Sequence, residues 1–141
     1  MSRRSSRRSP AITSTSPCPC GLGETLGETL GECCGPLHAG STTAATAERL
    51  MRSRYSAFAV ADEAYLLRTW HPSTRPARVE LDPAVRWTRL EVLGSTGGGA
   101  LHAEGTVEFR AHLTDAGRAD VLHERSRFTR VDGQWVYLDA L

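Results

Sequence analysis

Four cysteines, Cys18, Cys20, Cys33 and Cys34, fall within seventeen residues, and the rest of the 141-residue chain has none. Thiols packed this closely in a cytosolic protein read as metal ligands rather than as disulfides. Zn²⁺ asks for four soft or borderline ligands in a tetrahedron, and thiolates meet that requirement. Cys18 and Cys20 flank one proline, so both sulfurs can point the same way out of a tight turn. Cys33 and Cys34 are adjacent, which suits a turn or helix start whose side chains reach one ion, whereas a disulfide between neighbours is strained. His38, four residues on, is a competing nitrogen ligand. A structural ion in so short a segment would supply most of its folding free energy, on the order of 10 kcal/mol. Two alternatives stay open: unliganded cysteines in a flexible loop, and a redox role for the vicinal pair.

The other groups able to bind or to move protons crowd into two blocks, Trp70–Arg75 and His123–Phe128. Helices and strands must position them. Thr46 caps a helix over Arg49–Val60 whose stripe runs through Leu50, Arg54 or Tyr55, and Phe58. A second helix runs from Asp62 to Thr69 with Tyr65, Leu66 and Trp70 on its apolar face, and His71-Pro72 ends it because the residue before proline avoids the α region. From Val85 the period changes to two. In Trp87–Leu93, Trp87, Arg89 and Glu91 oppose Leu90 and Val92. Residues 95–99 predict a glycine-rich turn. Ala100–Leu113 predicts a bent strand with Val107, Phe109, Ala111 and Leu113 on one face. Asp115–Gly117 turns the chain back, and Val121–Val131 with Gln134–Leu138 form a hairpin across Asp132-Gly133. Helices followed by a four-strand meander predict an α+β fold, with the helices on one side of an antiparallel sheet.

On this pattern Glu124 and Ser126 share a strand face with Leu122 and Phe128. A carboxylate on a core-facing side needs donors or a cation, which Arg54, His71 or Arg75 could supply. Glu124 then reads either as a ligand anchor or acid–base group, or as a structural ion pair tying the Trp-His-Pro loop to the sheet; the second is preferred. His71 and His123 each stand alone in their segments, with no nucleophile–base–orienter set in view, and read as hydrogen-bonded structural histidines. Trp70 and Trp87 read as core, and Arg125 and Arg127 as a solvated face. Gly97–Gly99 lacks the strand–helix context of a phosphate loop.

All 17 basic residues are arginine, which excludes Schiff-base chemistry, a catalytic lysine and a P-loop. Residues 1–17 carry Arg3, Arg4, Arg7 and Arg8 with no acid, while the remainder has thirteen arginines against sixteen acids. The body is therefore not a basic nucleic-acid platform. The Ser/Arg/Thr/Pro-rich head is expected to be disordered, and a weak nucleic-acid contact through it is the only such role left open. No stretch approaches the roughly 18 apolar residues of a membrane span. No apolar h-region follows the paired arginines, so the expected location is cytoplasmic, without membrane insertion.

The run Cys-Pro-Cys-Gly followed by Glu-Cys-Cys-Gly resembles the SEC-C motif, the zinc-binding tail of the SecA translocation ATPase. Ala47–Phe58, Thr69–Pro76, Val107–Ala111 and Leu122–Phe128 together resemble the YchJ family of bacterial proteins, and the likeness runs from Cys18 to the C-terminus. Two features depart from the family pattern. Leu22 and Glu24 replace a serine and a lysine, and Gly23–Leu26 is repeated at Gly27–Leu30, which lengthens the interval between Cys20 and Cys33. A four-residue loop insertion adds little closure entropy, so metal binding should survive it.

The resemblance implies a nuclear-transport-factor-2-like, cystatin-related cone in which a curved sheet wraps the helices, with a small zinc knuckle in front. The expected organisation is a head at 1–17, a knuckle at 18–40 and the cone at 41–141. Such cones often hold a pocket, and the candidate lining is Trp70, His71, Arg75, His123, Glu124 and Phe128. No catalytic residue is assigned. The leading functional expectation is a non-catalytic, zinc-binding adaptor for a protein partner. The alternative is a small-molecule enzyme or ligand-binding protein that uses the cone, and an enclosed cavity reached by those side chains would favour it.

Overall fold

The computed structural model describes residues 11–21 and 28–141. Arg3, Arg4, Arg7 and Arg8, and the first copy of the tetrapeptide together with Leu22, lie outside the described residues. Among the described residues, three helices precede four strands: α1 (Gly35–Ala39), α2 (Ala47–Val60), α3 (Glu63–Arg68), then β1 (Val85–Gly97), β2 (Glu104–Asp115), β3 (Arg118–Val131) and β4 (Gln134–Ala140). The strands pair in chain order as an antiparallel meander. No helix among the described residues is long and apolar enough to cross a membrane.

Local chemistry sets the helix ends. The Thr46 hydroxyl accepts from the Arg49 amide at 3.1 Å, and the Asp62 carboxylate accepts from the Tyr65 amide at 3.0 Å, so each helix satisfies an orphan donor of its first turn. Helix α2 is buried on two flanks. Ala47, Leu50, Met51 and Tyr55 meet Leu90, Val107, Ala111, Phe128 and Trp135 of the sheet, while Ala57 meets Leu37 of α1 and Tyr65 and Leu66 of α3. A helix apolar on two sides needs cover on both, and the sheet and the two short helices provide it.

The hairpins form as expected. Asp132 (φ 52°) and Gly133 (φ 80°) join β3 to β4, and Ala116 (φ 51°) and Gly117 (φ 86°) join β2 to β3. Two consecutive left-handed residues match the right-handed twist of the flanking strands.

Strand β1 departs from simple alternation. A register shift between Trp87 and Arg89 inserts Thr88 as an extra residue, so Trp87 pairs with Leu113 and Leu90 with Ala111 on the same, core-facing side. Alternation had placed Trp87 opposite Leu90. A bulge inverts the pattern beyond it, and no period-two rule detects that. The predicted turn at 95–99 is also displaced: β1 continues to Gly97, and the loop occupies 98–103. Arg130 organises this loop by donating to the carbonyls of Gly99, Ala100 and His102, with its guanidinium 4.3 Å above the Trp135 ring.

Gly105 lies under this loop so tightly that a Cβ there would fall 2.5 Å from the Gly98 Cα. Gly105→Ala is therefore expected to cost about 1–3 kcal/mol, as overpacking does, measured by denaturant unfolding; an unchanged midpoint would contradict that close approach.

Residues 11–17, expected within the disordered head, carry defined contacts. Ser14 and Ser16 carbonyls accept from the Gly31 and Leu30 amides at 2.9 and 2.8 Å, and Pro17 bridges to Thr29. The segment pairs with the second cysteine turn, a long-range contact that composition does not reveal.

Candidate metal centre and ligand cavity

The second cysteine pair is presented by a reciprocally bonded turn. The Thr29 amide donates to the Glu32 carboxylate at 3.0 Å, while the Glu32 amide donates to the Thr29 hydroxyl at 3.3 Å. This is a capping-box arrangement, and the Thr29 backbone bond holds the Glu32 carboxyl below its usual value. Cys34 then caps α1, with Pro36 in the first turn. The first pair is anchored by the Cys18 amide, which donates to the Glu28 carbonyl at 3.1 Å.

All four sulfurs are buried and lie within 4.8 Å of one another. Cys20 and Cys33 sulfurs are 3.6 Å apart. That is far beyond a disulfide bond of about 2.05 Å and close to the edge, roughly 3.8 Å, of a tetrahedron built on Zn–S bonds near 2.3 Å. The donor set fits a tetrahedral thiophilic ion. Hydrogen bonds from the Cys18 and Cys20 thiols hold the Cys34 thiol far below its ordinary value, against burial and with help from Arg49. Burial, and then the charge on Cys34, push Cys33 up to about 12. A bound divalent cation would favour the thiolate form of all four.

This cluster is docked on the body of the protein. Arg49 of α2 donates to the sulfurs of Cys34 and Cys33 at 3.3 and 3.4 Å, and Arg52 donates to the Cys20 carbonyl at 2.7 Å. Two arginines one helical turn apart thereby face a site that would carry two net negative charges as a four-thiolate zinc centre. His38, the competing ligand, stands outside the ligand group: its Nε2 donates to the Ser53 carbonyl at 2.9 Å, and its ring packs 4.7 Å from Tyr65.

A second feature lies on the opposite flank of α2. A cavity of about 280 Å³ opens between this helix and the sheet, walled by Met51, Tyr55, Phe58, Trp70, Trp87, Phe109, Ala111, Leu122, Phe128 and Tyr137, with Arg54, Glu124 and Ser126 among them. Leu122 is 42% exposed and marks the open side. Trp70 is held in the wall by backbone pairing with β4, through Tyr137 amide to Thr69 carbonyl and His71 amide to Tyr137 carbonyl, each 2.8 Å.

Arg54, 6% exposed, is the buried cation of the cavity. Its Nη1 donates to the Leu66 carbonyl (2.8 Å) and the Thr69 hydroxyl (2.7 Å), and its guanidinium lies 5.0 and 4.8 Å from the Trp70 and Tyr137 ring centres. Burial pushes it down to about 10, so it remains charged at neutral pH. Glu124 accepts from the Ser126 hydroxyl at 2.6 Å and the Tyr137 hydroxyl at 3.4 Å. Burial, and then the Glu124 charge, push the Tyr137 phenol up to about 12. Among the described residues Arg54 makes no ion pair within 4 Å.

Of the six candidate lining residues, Trp70, Glu124 and Phe128 meet at the cavity; His71, Arg75 and His123 do not line it. His71 accepts from the Ser73 amide and hydroxyl, and Arg75 donates twice to the Trp70 carbonyl, so both brace the loop behind the tryptophan. His123 pairs with Glu108 at 2.7 Å on the outer face of the sheet. The preferred ion pair between Glu124 and the Trp-His-Pro loop is not formed, because Arg75 and His71 are turned to groups of their own loop. Arg54 was legible as an arginine on the apolar stripe of its helix. Arg49 and Tyr137 were not singled out, and Arg49 carries no local signal that it faces sulfur.

Comparison with known proteins adds the family. The model of the YchJ middle, nuclear-transport-factor-2-like domain matches residues 46–140. A UPF0225 protein of Streptomyces coelicolor is 58% identical over 89% of this chain and 95% of its own, and one of Ralstonia nicotianae is 50% identical over 95% and 96%. The solution structure of a SEC-C motif containing protein from Rhodopseudomonas palustris superposes with a TM-score of 0.75 at 36% identity, over 89% of this chain and 98% of that one. A crystal structure of a SEC-C motif containing protein from Psychrobacter arcticus gives 0.72 at 27%, over 89% and 82%. A cysteine cluster seated on a helix-and-meander cone, matched by relatives along nearly their whole length, establishes that the chain belongs to the UPF0225, or YchJ, family.

Proposed function

We infer that this chain is a non-catalytic binding protein in which a structural zinc ion, held by Cys18, Cys20, Cys33 and Cys34, staples the N-terminal knuckle to α2, and the cavity beneath that helix receives a small molecule. The observation that carries the reading is the cavity itself: about 280 Å³, mostly aromatic, with a buried arginine and a carboxylate in its wall. Small-molecule sites combine apolar walls with a few placed polar groups in this way, and a volume near the lower end of the usual ~300–1,000 Å³ calls for a small ligand. Arg54 and Glu124 are braced by neighbouring groups, as suits holding and orienting.

A fragment screen read by the indole N–H resonances should return compounds that shift Trp70, and Leu122→Trp at the open side should abolish those shifts while leaving the fold intact. Binders that perturb only other surfaces, or that survive the blocked mouth, would defeat the reading.

A protein-adaptor role is the second reading. Its support is the seating of the knuckle through Arg49 and Arg52, which would let the ion hold a defined two-part surface. It fails if Cys33→Ser captures the same proteins as wild type.

A further inference from the structure

The cavity wall has a polar signature more specific than the general reading on which this inference rests. Three groups matter. The Trp70 ring borders the cavity, while its indole N–H, without a hydrogen-bond partner among the described residues, is buried out of reach even of water. Arg54 spends both of its protein hydrogen bonds from Nη1, so Nε and Nη2 have no protein acceptor among the described residues. The Glu124 carboxylate offers acceptor capacity beyond the two hydroxyls it already meets. Unmet donors therefore stand beside an unsaturated acceptor, and the cation and anion balance each other.

That balance constrains the ligand. An anion would satisfy Arg54 but leave the site with net negative charge among aromatic walls. A cation would satisfy Glu124 and leave net positive charge beside Arg54. Uncompensated charge in such surroundings is expensive. A hydrocarbon would leave Arg54 Nε and Nη2 unmatched. We propose that the cavity binds a small, uncharged, flat aromatic or heteroaromatic molecule carrying a hydrogen-bond acceptor, which takes the unmet donors of Arg54, and a donor, which Glu124 accepts. Carboxamides and lactams are the chemical class that places both functions together without charge.

Four size-matched probes separate the possibilities on the full, metal-replete chain: benzamide, benzoate, benzylamine and toluene, each titrated while following the Trp70 indole N–H resonance. Benzamide is expected to bind at least tenfold more tightly than each of the others and to move that resonance as its ring packs beside the indole. Glu124→Gln, which keeps shape and removes the negative charge, is expected to raise benzoate affinity relative to benzamide at least tenfold. Benzoate or benzylamine binding the wild type as well as benzamide does would overturn the neutral class while leaving the cavity a binding site. Toluene matching benzamide would overturn the role of the polar groups. If none of the four, toluene included, perturbs Trp70 or Trp87, the cavity is not a binding site and the inference falls with it.

Discussion

Purified protein is expected to carry one equivalent of zinc, and Cys20→Ser to lose it together with several kcal/mol of stability. The sulfur is fully buried, 3.6 Å from that of Cys33, in a group of four. A serine oxygen keeps the space but is a poor fourth ligand where thiolates are matched to the ion. Most of the folding free energy of so short a segment would come from the metal, and its loss should spread. Arg49 and Arg52 bind the knuckle to α2, so the helix would lose cover along one flank. For a domain of this size each kcal/mol lowers the melting temperature by about 2–4 °C. Elemental analysis and thermal unfolding of the two proteins check the result. Arg49→Met sharpens it: with the sulfurs intact but one counter-charge removed, zinc affinity should fall about 10–100-fold, as for other groups that support metal ligands. Wild-type protein prepared under reducing conditions without metal, and no less stable than the zinc-loaded protein, would end the structural-zinc reading.

Arg54→Ala is expected to be the most damaging change in the cone, lowering stability by about 3 kcal/mol. The guanidinium links α2 to the end of α3 through the Leu66 carbonyl and the Thr69 hydroxyl, and lies against two aromatic rings. Hydrogen bonds to a charged group contribute about 1.5–3 kcal/mol each, and stacking on desolvated rings adds to that. The depressed pKa shows the opposing effect, since burial disfavours this cation. Arg54→Met, which keeps the apolar stem and removes the buried charge, should therefore lose less than half as much. Denaturant unfolding of the pair separates the two contributions. Equal losses would mean that the charge and its hydrogen bonds, not packing of the stem, account for the role of Arg54.

Much of this architecture is local in origin and therefore readable along the chain. The caps at Thr46 and Asp62, the left-handed turn at Asp132-Gly133 and the alternation of β2 and β3 each depend on residues a few positions apart. The cysteine set was legible for a related reason, because few other arrangements of four thiols in a short segment make chemical sense. What local pattern misses is the cost and benefit of distant neighbours. The bulge at Thr88 turns Trp87 inward because that face must fill the cone, although period two alone points it outward. Residues 11–17 are ordered by pairing with the turn at 29–31, not by their own composition.

The same division runs through the two candidate sites. Sequence alone determined which side chains could grip a soft metal, and that an arginine sat in an apolar helical stripe, since both follow from side-chain chemistry and spacing. Only the tertiary structure decided that Arg49 faces the sulfurs and that Arg54 shares a cavity with Glu124, Trp70 and Tyr137, while His71, Arg75 and His123 stand apart. Those choices depend on which flank of α2 meets the knuckle and which meets the sheet. That is a matter of packing between segments tens of residues apart, and no short-range spacing encodes it.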